Sequence, residues 1–210
     1  MKTKVFATLL ALLPGLAEAR CVTAEDLATG ITFKRQDGRT GLAVAQDGGV
    51  LVDYATNPQG AWQDLRKTDR GIYEKTWAWT PTEEYYVGGG PGGGWQYAIQ
   101  GKAPEPEAGA TWKTTVRVTE SHYDGTESGG PVLKYPLKAV YSFQDVKEAS
   151  LSGCTYRIQP VEATFTGKNN HFTRRWIYFP DLGFGLETRM TDHAGGEDRQ
   201  LGLTALKPKG

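Results

Sequence analysis

The chain has 210 residues, with 24 basic and 24 acidic side chains, three histidines and two cysteines. A formal net charge of zero leaves no electrostatic footprint for nucleic acid or an anionic membrane surface, so neither is an expected partner. The length fits one domain and is enough to enclose a substantial core.

The chain opens with the pattern of a secretory signal. Lys2 and Lys4 precede an apolar run from Val5 to Leu13, and Ala17-Glu18-Ala19 forms a small-x-small cleavage site. The run is too short to span a bilayer, and no later segment is apolar and long enough to do so. The expected organisation is a signal peptide over 1–19 and a single exported domain over 20–210, periplasmic or secreted. Loss of Lys2, Lys4 and Glu18 takes the basic count from 24 to 22 and the acidic count from 24 to 23, a net charge of −1. Arg20 stands where a lipoprotein signal needs a small residue, which argues against a lipid on Cys21. An exported chain meets an oxidising compartment, so a disulfide between Cys21 and Cys154 is expected, with a catalytic thiol as the rival reading.

Thr23-Ala-Glu-Asp-Leu-Ala-Thr-Gly30 reads as a short helix. Thr23 can cap it, Asp26 occupies the reciprocal capping position and Gly30 can end it. Strand patterns then follow in quick succession. Ile31 to Gln36, Gly41 to Gln46, Val50 to Ala55, Trp62 to Thr68 and Ile72 to Thr80 are separated by Asp37-Gly38, Asp47-Gly48-Gly49, Thr56-Asn57-Pro58 and Asp69-Arg70-Gly71. Residues 82–95 interrupt the rhythm, and Gly88 to Gly94 reads as a mobile surface loop. It is not a phosphate loop, because the lysine and the following hydroxyl residue are missing.

Trp95 to Gln100, Ala110 to Glu120 and Val132 to Ser142 read as further strands, with Pro136 marking the last as an edge or bulged strand. Gln144 to Ser150 is either a helical turn or an exposed strand. The organising stretch runs from Gly153 to Met190. Cys154, Tyr156 and Ile158 alternate with polar neighbours, and Val161, Ala163 and Phe165 resume the pattern after Pro160. Phe172 to Phe179 and Phe184 to Met190 follow, divided by the turn Pro180-Asp-Leu-Gly183. Thr191 to Gln200 reads as a polar loop and Leu201 to Leu206 as a last strand. No long amphipathic helix is present. The expected fold is all-β: a single-domain antiparallel up-and-down sheet curved into a barrel, half-barrel or sandwich, with one short N-terminal helix.

The segments Gly153-Cys-Thr-Tyr156, Arg175-Trp-Ile-Tyr-Phe179 and Pro180-Asp-Leu-Gly183 resemble the C-terminal part of bacterial envelope proteins of half-open β-barrel type, the lipoprotein-localisation-factor-like folds. The resemblance is confined to residues 153–190 and implies a curved sheet whose concave face holds acyl chains or partner segments. This chain differs in lacking clear lid helices, and no family active site carries over.

Catalytic patterns are sparse. Ser121, His122 and Asp124 have the residue types of a triad, but neighbours on a strand point to opposite faces. Asp192, His193, Glu197 and Asp198 offer cation ligands at a spacing that matches no metal motif, so a solvated acidic loop is the simpler reading. Lys168, His171, Arg174 and Arg175 could hold one anion or form the wet side of a hairpin. Glu83, Glu84, Glu105 and Glu107 could supply paired carboxylates for glycoside hydrolysis, but all four lie in loop-like sequence. No metal and no cofactor is expected.

The aromatic residues carry the stronger signal. Tyr73, Lys75, Trp77 and Trp79 alternate onto one face, and Trp95 and Trp112 begin neighbouring strands. Tyr73, Trp77, Trp79, Trp95 and Trp112 are therefore the expected lining of a concave site, with Gly88 to Gly94 as its rim. A plain aromatic core is the competing account. The expected function is an exported, non-catalytic binding or envelope-maintenance protein for an apolar or ring-shaped ligand, with a lipid, a glycan or an envelope protein as partner. A glycan- or lipid-directed hydrolase and a structural or inhibitory partner of another envelope protein are the alternatives.

Overall fold

A computed structural model of the chain describes residues 20–54, 62–81, 92–123 and 130–209. Residues 1–19, read as a signal segment, Thr56-Asn57-Pro58, read as a turn, Glu83, Glu84, residues 88–91 and Asp124 lie outside the described residues.

The described chain is an antiparallel sheet of 14 strands with one short helix. Helix α1 (Asp26–Thr29) is a single turn. The Asp26 carboxylate accepts bonds from the Thr23 backbone N–H at 2.8 Å and from its hydroxyl at 3.0 Å, which ties the preceding turn to the start of the helix. Gly30, at φ 117, ends the helix and turns the chain into β1.

The strands are β1 (Ile31–Lys34), β2 (Thr40–Gln46), β3 (Gly49–Asp53), β4 (Trp62–Asp69), β5 (Tyr73–Pro81), β6 (Gly92–Ile99), β7 (Thr111–Tyr123) and β8 (Val132–Phe143). The remainder are β9 (Lys147–Leu151), β10 (Cys154–Thr166), β11 (His171–Phe179), β12 (Phe184–Asp192), β13 (Asp198–Gln200) and β14 (Ala205–Pro208). Neighbours in sequence are neighbours in the sheet nearly throughout. The order runs from β13 through β12, β11, β10 and β8 down to β1 and then β14, with β9 pairing only the first half of β10. Turn chemistry at short intervals produces this meander, because each hairpin closes locally before distant pairing is required.

Several boundaries differ from the sequence pattern. Gln144 to Ser150 resolves into the exposed strand β9, and Pro160 does not divide β10, which runs through it. Gly92 to Gly94 are strand residues, all three paired with β7 and Gly93 and Gly94 also with Trp79 and Ala78 of β5, so that part of the glycine run is not a loop. The Thr191 to Gln200 loop contains β13, and the final strand begins at Ala205 rather than Leu201.

The sheet does not close into a continuous barrel. Its two edges are nevertheless joined by the chain between β13 and β14. The Leu201 and Gly202 N–H groups donate to the Thr188 carbonyl of β12, the Gln36 N–H beyond β1 donates to the Leu201 carbonyl, and the Thr204 N–H donates to the Lys34 carbonyl. A short strap, Leu201 to Thr204, thus covers edges that would otherwise present unpaired backbone.

Two apolar clusters fill the concave side. One gathers Ile31, Phe33, Val52, Phe179, Phe184 and Leu186 beneath the N-terminal segment. The other gathers Ile72, Val116, Tyr141, Val161, Phe165 and Trp176 from the other arm. Gly71, at φ +71, and Gly185 meet where the β4–β5 turn passes β12. A Cβ on Gly71 would lie 2.1 Å from the Gly185 carbonyl oxygen, so no side chain fits at that crossing. Cys21 and Cys154 form a disulfide with Cα atoms 5.7 Å apart. The Val22 N–H donates to the Tyr156 hydroxyl beside it, which pins the N-terminal segment over the first cluster.

Candidate ligand-binding site

Strand register sets a row of large side chains across the concave face. Arg66 on β4 pairs with Trp77 on β5, Trp77 with Trp95 on β6, and Trp95 with Glu120 on β7. Paired residues share a face, so the four side chains stand side by side. The indoles of Trp77 and Trp95 stack with centroids 4.3 Å apart and planes 21° from parallel. The Arg66 guanidinium carbon lies 4.8 Å from the Trp77 ring and 4.7 Å from the Tyr54 ring, held between the two aromatic faces. Gly93 makes room for the stack. A Cβ there would lie 2.9 Å from the Trp95 ring, which covers that position. At the far end of the row, Glu120 accepts a bond from the Tyr135 hydroxyl at 2.6 Å and contacts His122. Burial would raise the Glu120 carboxyl, but the bonds to Tyr135 and His122 outweigh it and hold it low.

Behind the row lies a buried network of five charges: Asp64, Arg66, Glu74, Arg174 and Glu187, all 1–6% exposed in their side chains. Arg66 donates to both Asp64 oxygens, at 2.8 and 2.9 Å, and to Glu74 at 3.1 Å. It also reaches Glu187. Arg174 donates to Glu187 through Nε at 3.0 Å and to both Glu74 oxygens. Its guanidinium carbon lies 5.1 Å from the Trp176 ring. Burial opposes the charge on Arg66 and Arg174, yet the surrounding carboxylates outweigh it and raise both above the ordinary arginine value. Burial likewise pushes Asp64 and Glu74 up, and the arginines beside them bring both below the usual carboxylate range.

Two β-bulges deliver the shared carboxylates. On β5 the register steps from Thr76 to Glu74, leaving Lys75 unpaired and exposed. That step turns Glu74 to the same side as Trp77. On β12 the register steps from Arg189 to Glu187, leaving Thr188 unpaired. Glu187 thereby faces inward with Trp176, and the bulged Thr188 carbonyl becomes the acceptor for the strap.

The row and the network border a cavity of two lobes. The larger, of about 380 Å³, is walled by Trp77, Trp79, Trp95, Met190 and Leu201 with several arginines. The smaller, of about 220 Å³, is walled by Tyr97, Val118, Tyr135, Leu137 and Phe172. Trp77, Trp95, Arg66 and Met190 line both lobes. Together they fall in the size range of small-molecule sites.

Of the five aromatic residues expected to line a concave site, Trp77, Trp79 and Trp95 wall the cavity, all half-buried. Tyr73 and Trp112 do not. Tyr73 is 1% exposed in the core, edge-on to Trp112 and tilted against Tyr141, and its hydroxyl donates to the Pro104 carbonyl. The bulge at Lys75 puts Tyr73 out of step with Trp77, and Tyr73 packs into the second apolar cluster instead of standing beside the tryptophan stack. The basic cluster of the β10–β11 hairpin separates too. Arg174 is buried in the network, Arg175 is exposed against Glu162, and His171 stands beside His193 with ring centroids 4.6 Å apart.

The acidic loop resolves into local contacts. Asp198 pairs with Arg189, Glu197 pairs with Arg199, and Asp192 accepts the Ala194 N–H. No group of three or more metal-ligating side chains forms among the described residues. Ser121 donates to the Gly94 carbonyl, away from His122. Glu105 pairs with Arg70 on the surface.

Sequence reading missed the charge network. One signal for it was available: Arg174 is in phase with Phe172, Trp176 and Tyr178, the inward set of β11. Comparison of the chain with protein-family models, with curated proteins and with solved structures found no match. The envelope-protein resemblance of residues 153–190 therefore rests on the sequence motif alone.

Proposed function

We propose that the protein is an exported binding protein, periplasmic or secreted, whose interior cavity takes an apolar or ring-shaped ligand against Trp77, Trp79 and Trp95. The observation that carries this reading is the stacked Trp77–Trp95 pair, half-buried and common to both lobes. A core would bury such rings fully, as it does Tyr73 and Tyr141. Aromatic faces give a ligand large contact area while freezing few rotors, and the Arg66 network behind the stack keeps it rigid. Export is supported by the Ala17-Glu18-Ala19 site and by a disulfide joining the only two cysteines. No described helix is long and apolar enough to cross a membrane. A lipid or a glycan of the cell envelope has the required surface.

Native mass spectrometry of protein purified from its own envelope tests the reading. A bound small molecule is expected in the wild type and is expected to be lost in Trp77→Ala and Trp95→Ala variants that remain folded. Retention of the same ligand by both variants would place binding elsewhere.

A further inference from the structure

We infer that the ligand of this cavity carries an oxyanion, a carboxylate or phosphate, on its apolar or ring-shaped body, and that Arg35 and Arg199 receive it. The inference rests on the binding role proposed above and narrows the class of ligand. The larger lobe is lined by four arginines, Arg35, Arg39, Arg66 and Arg199, and by only two acids, Asp64 and Glu187. Both acids are already committed. Asp64 gives both oxygens to Arg66, and Glu187 is shared by Arg66 and Arg174. Arg35 pairs with Asp37 and Arg199 with Glu197, and neither acid lines the lobe. Guanidinium groups therefore outnumber carboxylates on the wall of the lobe itself, while each arginine keeps a carboxylate partner.

Arg35 adds an independent sign of a missing acceptor. Its side chain is 6% exposed. One terminal nitrogen donates to the Tyr54 carbonyl at 2.8 Å and the other pairs with Asp37 at 2.9 Å, while its Nε is buried without a partner. Buried N–H groups are nearly always bonded, because leaving one unpaired forfeits its hydration. Such a donor on a wall lined by four arginines is the complement of an oxyanion, which accepts several charge-assisted bonds at once. The smaller lobe supplies the rest of the ligand's environment. Val118, Leu137 and Phe172 offer an apolar seat, connected to the arginine side through the Trp77–Trp95 stack.

The test is isothermal titration calorimetry of the oxidised protein with octanoate and 2-naphthoate, against octan-1-ol and 2-naphthalenemethanol. The acids are expected to bind at least about tenfold more tightly than the alcohols, a preference that weakens with added salt. Arg199→Gln, at a half-exposed position, is expected to remove most of that preference while the alcohols bind as before. Arg35→Gln is expected to do the same if circular dichroism shows that it folds, and Arg199→Gln keeps the test open if it does not. Octyl phosphate run beside octanoate assigns the head group. Equal binding of acid and alcohol would overturn the oxyanion while leaving the aromatic cavity in place; no binding of any of these probes would overturn both.

Discussion

Arg66 and Arg174 stand on opposite arms of the sheet and share the same two carboxylates, Glu74 and Glu187. Their strands, β4 and β11, lie far apart in strand order, so the only route between them is across the concave interior. Arg66 rests on Tyr54 of one apolar cluster and Arg174 on Trp176 of the other. The network is thus the polar seam between two cores, and it holds the curvature that makes a cavity.

Removing one member should be costly, because the remaining charges have no water to turn to. Arg174→Leu is expected to lose about 3–5 kcal/mol of stability in urea denaturation. Arg157→Ala, which breaks an exposed pair with Asp181, is expected to stay within about 1 kcal/mol of wild type. Equal effects from the two variants would show that the buried network is not what holds the arms together.

The same network fixes the direction of the acid response. Asp64 and Glu74 have folded values below their ordinary 3.8 and 4.5. Groups depressed in this way contribute stability that is fully present above the unfolded value and is lost as pH falls through the folded one. Stability should therefore be level with respect to these two groups above about pH 5 and fall progressively below about pH 4. Asp64→Asn is expected to flatten that acid limb, read from urea midpoints between pH 2 and 6.

The disulfide closes a loop of sequence separation 133. On the chain-entropy account it contributes about 5 kcal/mol, as an upper estimate. Cys21→Ser combined with Cys154→Ser should lower stability by up to that amount. Intact mass of the exported protein should match a chain starting at Arg20 and two hydrogens lighter than its reduced form. Two free thiols would defeat the expectation.

Tyr73 and Trp95 separate core from cavity. Tyr73→Ala empties a fully packed position and should cost about 3–5 kcal/mol. Trp95→Ala should cost about 1–2 kcal/mol, the ordinary range for a point change, while abolishing ligand uptake and changing the near-ultraviolet dichroism of its stack with Trp77. If Trp95→Ala and Trp77→Ala both unfold the protein, the aromatic row is core and the binding role fails.

The sequence by itself determined the all-β class, most of the strands and their up-and-down succession, the short N-terminal helix and the partner of Cys21. These follow from period-two alternation, turn chemistry and cysteine count, all of which are local or need no geometry. It also placed three of the cavity tryptophans in the right strands. Which residues face inward together was decided only by tertiary structure. A single extra residue at Lys75 put Tyr73 out of step with Trp77 and brought Glu74 in, and another at Thr188 brought in Glu187. Charges some hundred residues apart, such as Glu74 and Arg174, become partners only when the sheet curves back on itself. Alternation says which side of a strand a residue takes, but it carries no information about bulges or about which distant strand will lie across the interior.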